Sequence, residues 1–173
     1  MFIDLSDVLL EHHKPIDLTL SVEMNEFCSA YGSLPILQKS PVRIVVKHVK
    51  QKELTVEGEC QLVLEIPCDR CLTPVPIQFD LKFQNHIDLD DEHQSDELDE
   101  TSYIDGYKLD VDKLLCNEML IGWPMKILCD EDCKGICNTC GQNLNEGTCN
   151  CEDTSLDPRM SVIRDVFKNF KEV

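Results

Sequence analysis

Cysteines are concentrated in one short stretch of this chain. Six lie within the 23 residues from Cys129 to Cys151, and a further pair, Cys68 and Cys71, lies far upstream. Two thiolates separated by two residues can bind one metal ion without strain, because the turn between them points both sulfurs the same way. A glycine after the second cysteine, such as Gly141, lets backbone N–H groups approach the sulfurs. This density of paired cysteines predicts metal binding.

Disulfide bonds and thiol redox chemistry are the two rival interpretations of these cysteines. The start of the chain lacks the basic and apolar segments of a secretory signal peptide, and the cysteine count of 11 is odd. We therefore expect a cytoplasmic protein with reduced thiols. A redox Cys-x-x-Cys is typical of a helix N-terminus in a βαβ unit, whereas these pairs lie among Gly, Asn and Asp residues, which favour turns. Zinc binding is the favoured interpretation, and redox chemistry stays as the alternative.

Eight of the cysteines form short pairs, enough for two zinc sites with four thiolates each. The loop between the last two pairs has only eight residues, so closing it costs little entropy. We predict two groups, the local one first: Cys137, Cys140, Cys149 and Cys151; then Cys68, Cys71, Cys129 and Cys133. In the competing arrangement Cys129 or Cys133 joins the local site, Cys68 and Cys71 stay free or redox-active, and one zinc ion is bound.

The upstream pair lies at the tip of a predicted β-hairpin. Apolar and polar residues alternate over 54–66 and again over 75–83, which is the period of antiparallel strands with one solvated face. Cys60 falls on the apolar side of the first strand and is predicted to pack in the core. The same alternation predicts strands over 16–24 and 42–46. The tip can therefore reach another part of the fold.

Three helices are predicted. One covers residues 4–11, and Asp110 caps a second over 110–122. A third covers 158–170, with Pro158 in its first turn.

Three further segments are predicted to be loops or turns. Residues 25–40 contain Gly32 and Pro35 and are predicted to form a connecting loop. Residues 86–101 are rich in acidic side chains and are predicted to form a mobile loop. Residues 103–109 are predicted to form a small hairpin that turns at Asp105 and Gly106.

These elements together predict the fold class α+β, an antiparallel β-sheet with flanking helices and a cysteine-rich zinc-binding module. The predicted organisation is an α+β domain over 1–128 and a zinc module with the C-terminal helix over 129–173, packed on the same domain.

The charge of the chain limits what it can bind. Acidic residues outnumber basic ones 33 to 16, for a net charge of −17, and a field of that sign repels phosphate backbones and anionic membranes. No apolar run approaches the roughly 18 residues of a membrane span. Basic residues concentrate on the predicted C-terminal helix, which makes them candidates for partner binding: Arg159, Arg164, Lys168 and Lys171. No Gly-rich phosphate loop and no recognisable Ser/His/Asp arrangement occurs, so a non-enzymatic protein is expected.

Five short motifs, in this order along the chain, carry a family resemblance. They are Cys68-Asp-Arg-Cys71-Leu, Asn117-Glu-Met-Leu, Cys133-Lys-Gly-Ile-Cys137-Asn-Thr-Cys140-Gly-Gln-Asn-Leu-Asn, Cys149-Asn-Cys and Asp157-Pro-Arg. In that order they resemble the YceD family of large ribosomal RNA accumulation proteins. The resemblance implies a cytoplasmic bacterial protein, or its plastid relative, that is needed for normal accumulation of large-subunit ribosomal RNA.

The resemblance and the composition lead to one main hypothesis and two alternatives. We expect a non-enzymatic, zinc-stabilised factor in ribosome biogenesis, with a zinc ribbon-like module, that binds a basic ribosomal protein or an assembly factor of the large subunit. The first alternative is direct RNA binding through the basic face of the C-terminal helix; a weak or indirect contact with ribosomal RNA fits either hypothesis. The second is a thiol redox protein that uses its Cys-x-x-Cys pairs.

Overall fold

Strands dominate the computed structural model, which describes residues 1–11, 15–29, 32–50, 53–88 and 103–151. The nine strands of this part of the chain are β1 Phe2–Asp4, β2 Ile16–Leu20, β3 Glu26–Ser29, β4 Gly32–Lys39, β5 Val42–Lys50, β6 Glu53–Pro67, β7 Pro74–Asp88, β8 Ile104–Asp105 and β9 Lys108–Asp110. Its helices are a five-residue π-helical turn, Asp7–Glu11, and one α-helix, α1, Val111–Ile121. Neither is long and apolar enough to cross a membrane.

The main sheet is built around β6. Its strand order is β2-β5-β6-β4-β3, and β7 also pairs with β6. β5 and β4 both run antiparallel to β6, β5 along residues 53–59 and β4 along residues 62–64. A second sheet has the order β1-β9-β8, with antiparallel pairs throughout. The predicted antiparallel sheet is therefore confirmed.

The alternation of β5 and β6 builds the core. In the first half of β5 alternate residues are apolar and fully buried, at Val42, Ile44 and Val46. On β6 Leu62 and Leu64 are fully buried in the same way. Cys60 is buried among them, so its predicted core role is confirmed.

Helix α1 begins and ends where the sequence predicts. The Asp110 carboxylate accepts hydrogen bonds from the backbone N–H groups of Asp112 and Lys113, at 3.1 and 3.4 Å, which satisfies donors that the first helical turn leaves open. At the other end the Gly122 N–H donates to the Glu118 carbonyl, at 3.0 Å. The helix buries one apolar face: Val111, Leu114, Leu115 and Met119.

The predicted helices are confirmed only in part. In place of a helix over 4–11, β1 ends at Asp4 and the π-helical turn follows. The predicted helix over 158–170 lies outside the described residues. The described chain is thus mostly antiparallel β-structure, with α1 as its single α-helix.

The prediction of a loop over 25–40 is wrong, because β3 and β4 form a hairpin there. Phe27 pairs with Leu34, and both side chains are buried. Pro35 lacks an N–H group, yet the ladder continues past it through the Ile36 N–H, which donates to the Asn25 carbonyl at 2.9 Å. A proline can lie in a strand at such a position because no donor is needed from it.

The structure also corrects two smaller boundaries. The hairpin predicted over 103–109 forms, but β8 includes Asp105 and the turn residues are Gly106 and Tyr107. β7 continues to Asp88, so residues 86–88 belong to a strand rather than to the predicted acidic loop. Residues 89–101 of that loop lie outside the described chain.

The chain divides into two compact units. The first, called the sheet unit here, contains residues 1–66 and 76–125; the second, called the cysteine unit, contains residues 67–75 and 126–173. The hairpin tip thus belongs with the cysteine-rich segment, whereas the sequence-based division placed it in the first domain.

At Gly58 there is no room for a side chain, because Phe83 occupies the space where one would lie. A Cβ atom at Gly58 would be 2.7 Å from Cε2 and 2.9 Å from Cε1 of Phe83, and closer still to Cζ. We expect Gly58→Ala to lower the free energy of unfolding by about 1–3 kcal/mol, as overpacking does. Urea denaturation measures it. The control is Gly122→Ala, whose Cβ would meet only the Glu118 carbonyl at 3.4 Å; equal losses in the two variants would contradict the prediction.

Candidate metal centres

Four cysteines of the cysteine unit form the first cluster, called the inner site: Cys68, Cys71, Cys129 and Cys133. Their four sulfurs all lie within 4.8 Å of one another. Two of the separations are 3.8 Å, from Cys68 to Cys133, and 3.4 Å, from Cys71 to Cys129. A tetrahedral ion with metal–sulfur bonds of about 2.3 Å has sulfurs about 3.8 Å apart. The inner site therefore has the dimensions of a four-thiolate metal site.

The hairpin tip brings its two cysteines to this site through backbone hydrogen bonds. The Cys68 N–H donates to the Thr73 carbonyl at 2.8 Å, and the Leu72 N–H donates to the Cys68 carbonyl at 3.0 Å. Asp69 then joins the tip to the segment before Cys129. Its N–H donates to the Ile127 carbonyl at 2.8 Å, and its carboxylate accepts from the Ile127 N–H at 2.7 Å.

Further donors hold the inner sulfurs. The Arg70 N–H lies 3.5 Å from the Cys68 sulfur, and the Asn145 side-chain amide lies 3.3 Å from the Cys133 sulfur. The Arg70 guanidinium also donates to the Cys133 carbonyl at 2.7 Å. Hydrogen bonds of this kind orient metal ligands and are part of a metal site rather than an accessory to it.

The acidity of the inner thiols favours a bound cation. Burial raises the pKa of Cys68, but backbone N–H groups of Arg70, Cys71 and Cys129 outweigh it and lower that pKa to about 6. Hydrogen bonds with Cys71 and then with Cys133 raise the pKa of Cys129 to about 12. Sulfurs this close cannot all ionise unless a positive charge lies between them. A divalent cation bound between them would supply that charge.

The second cluster, called the outer site, lies on the loop that ends the described chain: Cys137, Cys140, Cys149 and Cys151. Its four sulfurs also lie within 4.8 Å of one another. The Gly141 N–H donates to the Cys137 carbonyl at 2.8 Å, and the Thr139 N–H lies 3.4 Å from the Cys137 sulfur. Gly141 has a φ of 74°, a left-handed conformation that glycine adopts without a steric penalty.

In the outer site, as in the inner one, the pKa of one thiol is lowered and that of another is raised. Backbone N–H groups of Cys140 and Thr139 lower the pKa of Cys137 to about 6. A hydrogen bond with Cys140 raises the pKa of Cys151 to about 12. The two groups of four that cysteine spacing predicts are therefore the two groups that the structure brings together, and either could hold a metal ion.

Asparagines in the outer loop contact the inner site, which the sequence analysis did not foresee. Besides its contact with Cys133, Asn145 accepts a hydrogen bond from the Lys134 N–H at 2.8 Å. Asn143 donates to the Thr73 hydroxyl at 3.3 Å. The sequence shows only that two asparagines, Asn143 and Asn145, lie in the loop between the two pairs of outer cysteines. The outer loop thus contributes donors to the inner site.

Leu72 is a second feature that sequence reasoning missed. It is the only non-glycine residue with a positive φ, 61°, in the described part of the chain. It follows the second cysteine of its pair, as Gly141 does in the outer site. A residue with a Cβ costs about 1–2 kcal/mol in this conformation. The backbone around the Cys68–Cys71 turn therefore adopts the same shape without the glycine.

The contact of Asn145 with the Cys133 sulfur can be tested by mutation. We expect Asn145→Ala to weaken metal binding at the inner site about 10- to 100-fold, as loss of a partner of a metal ligand typically does. Competition with a chelator of known affinity measures the change, and the matched control is Asn25→Ala, at an exposed position in the sheet unit outside both clusters. Equal metal affinity in the two variants would contradict a role for the Asn145 contact with Cys133.

The remaining candidate residues divide into two groups. Among the lone cysteines, burial raises the pKa of Cys60 and of Cys116 to about 11, so both thiols stay protonated at neutral pH, while Cys28 is exposed. The basic residues proposed from the sequence to bind partners all lie outside the described residues: Arg159, Arg164, Lys168 and Lys171.

Comparisons with known proteins cover most of the chain. The family described as "Large ribosomal RNA subunit accumulation protein YceD" matches residues 56–167, more than half of the sequence. An uncharacterised protein of Bacillus subtilis, YlbN, is 24% identical over 156 residues, which cover 88% of this chain and 88% of that protein. The "Large ribosomal RNA subunit accumulation protein YCED homolog 1, chloroplastic" of Arabidopsis thaliana is 27% identical over 142 residues, 65% of this chain and 44% of that protein. No solved structure matches the chain.

Proposed function

The chain belongs to the YceD family of large ribosomal RNA subunit accumulation proteins, and from this membership we propose that it is a non-enzymatic, zinc-stabilised factor that supports the accumulation of large-subunit ribosomal RNA. The observation that carries the proposal is the pair of cysteine tetrads, both within the 56–167 match. We place its action in the cytoplasm, during assembly of the large ribosomal subunit.

Zinc is the ion that we propose for both sites. Four cysteine thiolates within tetrahedral reach are typical of structural zinc sites, and soft sulfur ligands disfavour magnesium and calcium. Four protein ligands also leave no open position for a water or a substrate, whereas catalytic zinc keeps one. This supports a structural role for the metal and a non-enzymatic role for the protein.

A basic protein is the partner that the charge of the chain favours. The net charge is −17, and each site, counted as one zinc ion with its four thiolates, would add about −2. Between two inner-site ligands, Asp130, Glu131 and Asp132 are all exposed. Such a surface attracts cationic segments and repels phosphate backbones. We therefore propose a basic ribosomal protein or an assembly factor of the large subunit as the partner.

Affinity purification from cells at low salt tests this proposal. One half of the sample is treated with ribonuclease before capture, and the proteins and RNA in both halves are identified. We expect a basic large-subunit protein to co-purify in both halves. Partners that vanish after ribonuclease treatment would contradict direct protein binding and favour the RNA hypothesis.

Direct contact with ribosomal RNA is the second candidate function, favoured by three basic residues spaced along one face of the predicted C-terminal helix: Arg164, Lys168 and Lys171. Replacing all three by glutamate should then abolish binding to large-subunit RNA in a gel-shift assay. Tight binding by the unaltered chain at physiological salt would itself contradict the basic-protein proposal.

A further inference from the structure

The inner and outer sites differ in how far their sulfurs are shielded from solvent. In the inner site Cys68, Cys71 and Cys133 are buried, and only Cys129 is exposed. No cysteine of the outer site is buried, and Cys140 is exposed. A small reagent in solution therefore reaches the outer sulfurs more easily than the inner ones.

The surroundings of the two sites increase this difference. Val75, Leu128 and Ile136 pack against the three buried cysteines of the inner site. Asn145 and Arg70 cover the Cys133 sulfur and its carbonyl. The outer site lies on a loop that reverses at exposed Gly141. Cysteine oxidation follows thiolate character and exposure, and zinc binding keeps all four outer sulfurs as thiolates.

We infer that the outer site is an oxidant-sensitive modification site, at which a hydroperoxide converts two zinc-bound thiolates into a disulfide and releases the ion, while the inner site keeps its zinc. The inference rests on the zinc binding proposed above. It adds that the two sites have different chemistry, the inner one structural and the outer one responsive.

The reaction balances as a two-electron oxidation. Two thiolate sulfurs form one S–S bond and give up two electrons. The O–O bond of the hydroperoxide breaks, takes those electrons with two protons from solvent, and leaves as water and an alcohol, or as two waters for hydrogen peroxide. The zinc ion passes to solvent, and the other two thiolates take up protons. Because all four sulfurs lie within 4.8 Å of one another, a partner sulfur is close to whichever one is attacked.

Loss of the outer zinc would also weaken zinc binding at the inner site. The loop from Gly141 to Thr148 joins the two pairs of outer ligands, and it carries Asn145, which donates to the Cys133 sulfur. The Leu144 N–H in the same loop donates to the Gly135 carbonyl at 2.9 Å. Oxidation at the outer site would remove the ion that anchors this loop, so the inner zinc should become easier to chelate.

The test uses the full chain with its metal content measured beforehand. Hydrogen peroxide is added at one equivalent per chain, zinc release is followed with a colorimetric chelator, and disulfides are mapped by alkylation and mass spectrometry. We expect one zinc ion to be released in a first phase, ahead of any slower loss of the inner ion to the chelator, with the disulfide confined to the outer cysteines. The control Cys28→Ser removes an exposed thiol outside both sites and should release zinc at the same rate.

The contrary outcomes separate this inference from the proposed function. Release of both ions in one phase, a disulfide that includes any inner-site cysteine, or resistance to peroxide in a chain that holds two zinc ions would each overturn the inference alone. A purified chain that binds no zinc would overturn the zinc proposal and this inference with it.

Discussion

Stripping the zinc from the purified protein is expected to unfold the cysteine unit and to leave the sheet unit folded. Within the described residues of the cysteine unit, the buried cluster consists of Cys68, Cys71 and Cys133, and half-buried apolar residues pack against it. Small structures with so little apolar core depend on metals or disulfides for stability. Structural zinc typically contributes about 10 kcal/mol or more at neutral pH, which is as much as a whole domain's net stability.

Hydrogen exchange measures this effect residue by residue. In the structure the Cys137 N–H donates to the Gln142 carbonyl at 2.8 Å, and the Leu144 N–H donates to the Gly135 carbonyl at 2.9 Å. Both amides should lose protection when a strong chelator is added and regain it when zinc is restored. Amides of β5, which pairs along β6 in the sheet unit, serve as the internal control and should stay protected.

Two results would contradict this prediction. Protection of the Cys137 and Leu144 amides in the metal-free chain would mean that the loop folds without an ion. Loss of protection in β5 as well as in the cysteine unit would mean that the two units unfold together.

Strand alternation and cysteine spacing could be read from the sequence because both are local. The alternation in β5 and β6 follows from the pleat of a strand, which sends successive side chains to opposite faces. The pairing of Cys137 with Cys140 and of Cys149 with Cys151 follows from short loops that cost little to close. The contact of the hairpin tip with Cys129 and Cys133 spans a long separation, and it could be predicted only because four more paired cysteines needed partners.

The β3–β4 hairpin could not be predicted in the same way. Gly32 and Pro35 mark turns by their usual chemistry, and the buried residues of this segment, Phe27 and Leu34, are too few to set a period. The pairing depends on β6, which binds the far side of β4. Tertiary contacts thus override the local signal.

Asn145 and Leu72 could not be predicted because their roles depend on distant or unusual geometry. Asn145 acts on Cys133, 12 residues away, across a turn whose shape the sequence does not specify. Leu72 adopts a backbone conformation that its own side chain disfavours. A sequence pattern records residue preferences, so it cannot reveal a residue that is held against its preference.

Replacing either pair of thiols is expected to lower the zinc content of the purified chain from two ions to one. In Cys68→Ser/Cys71→Ser the inner site keeps only Cys129 and Cys133, and two thiolates cannot replace the four that a closed zinc site requires. In Cys137→Ser/Cys140→Ser the outer site loses two ligands in the same way. Serine hydroxyls remain protonated at neutral pH and are poor zinc ligands, so they do not restore either site.

Elemental analysis against protein concentration gives the zinc count, and the two variants must be compared with two controls. The unaltered chain should hold two ions, and Cys28→Ser, at an exposed position outside both clusters, should hold two as well. The inner variant should also lose more stability to urea, because three of the four inner cysteines are buried. A single ion in the unaltered chain that survives Cys68→Ser/Cys71→Ser would reject the inner site. It would leave a local site alone, formed either by the four outer cysteines or, in the competing arrangement, with Cys129 or Cys133 joining them.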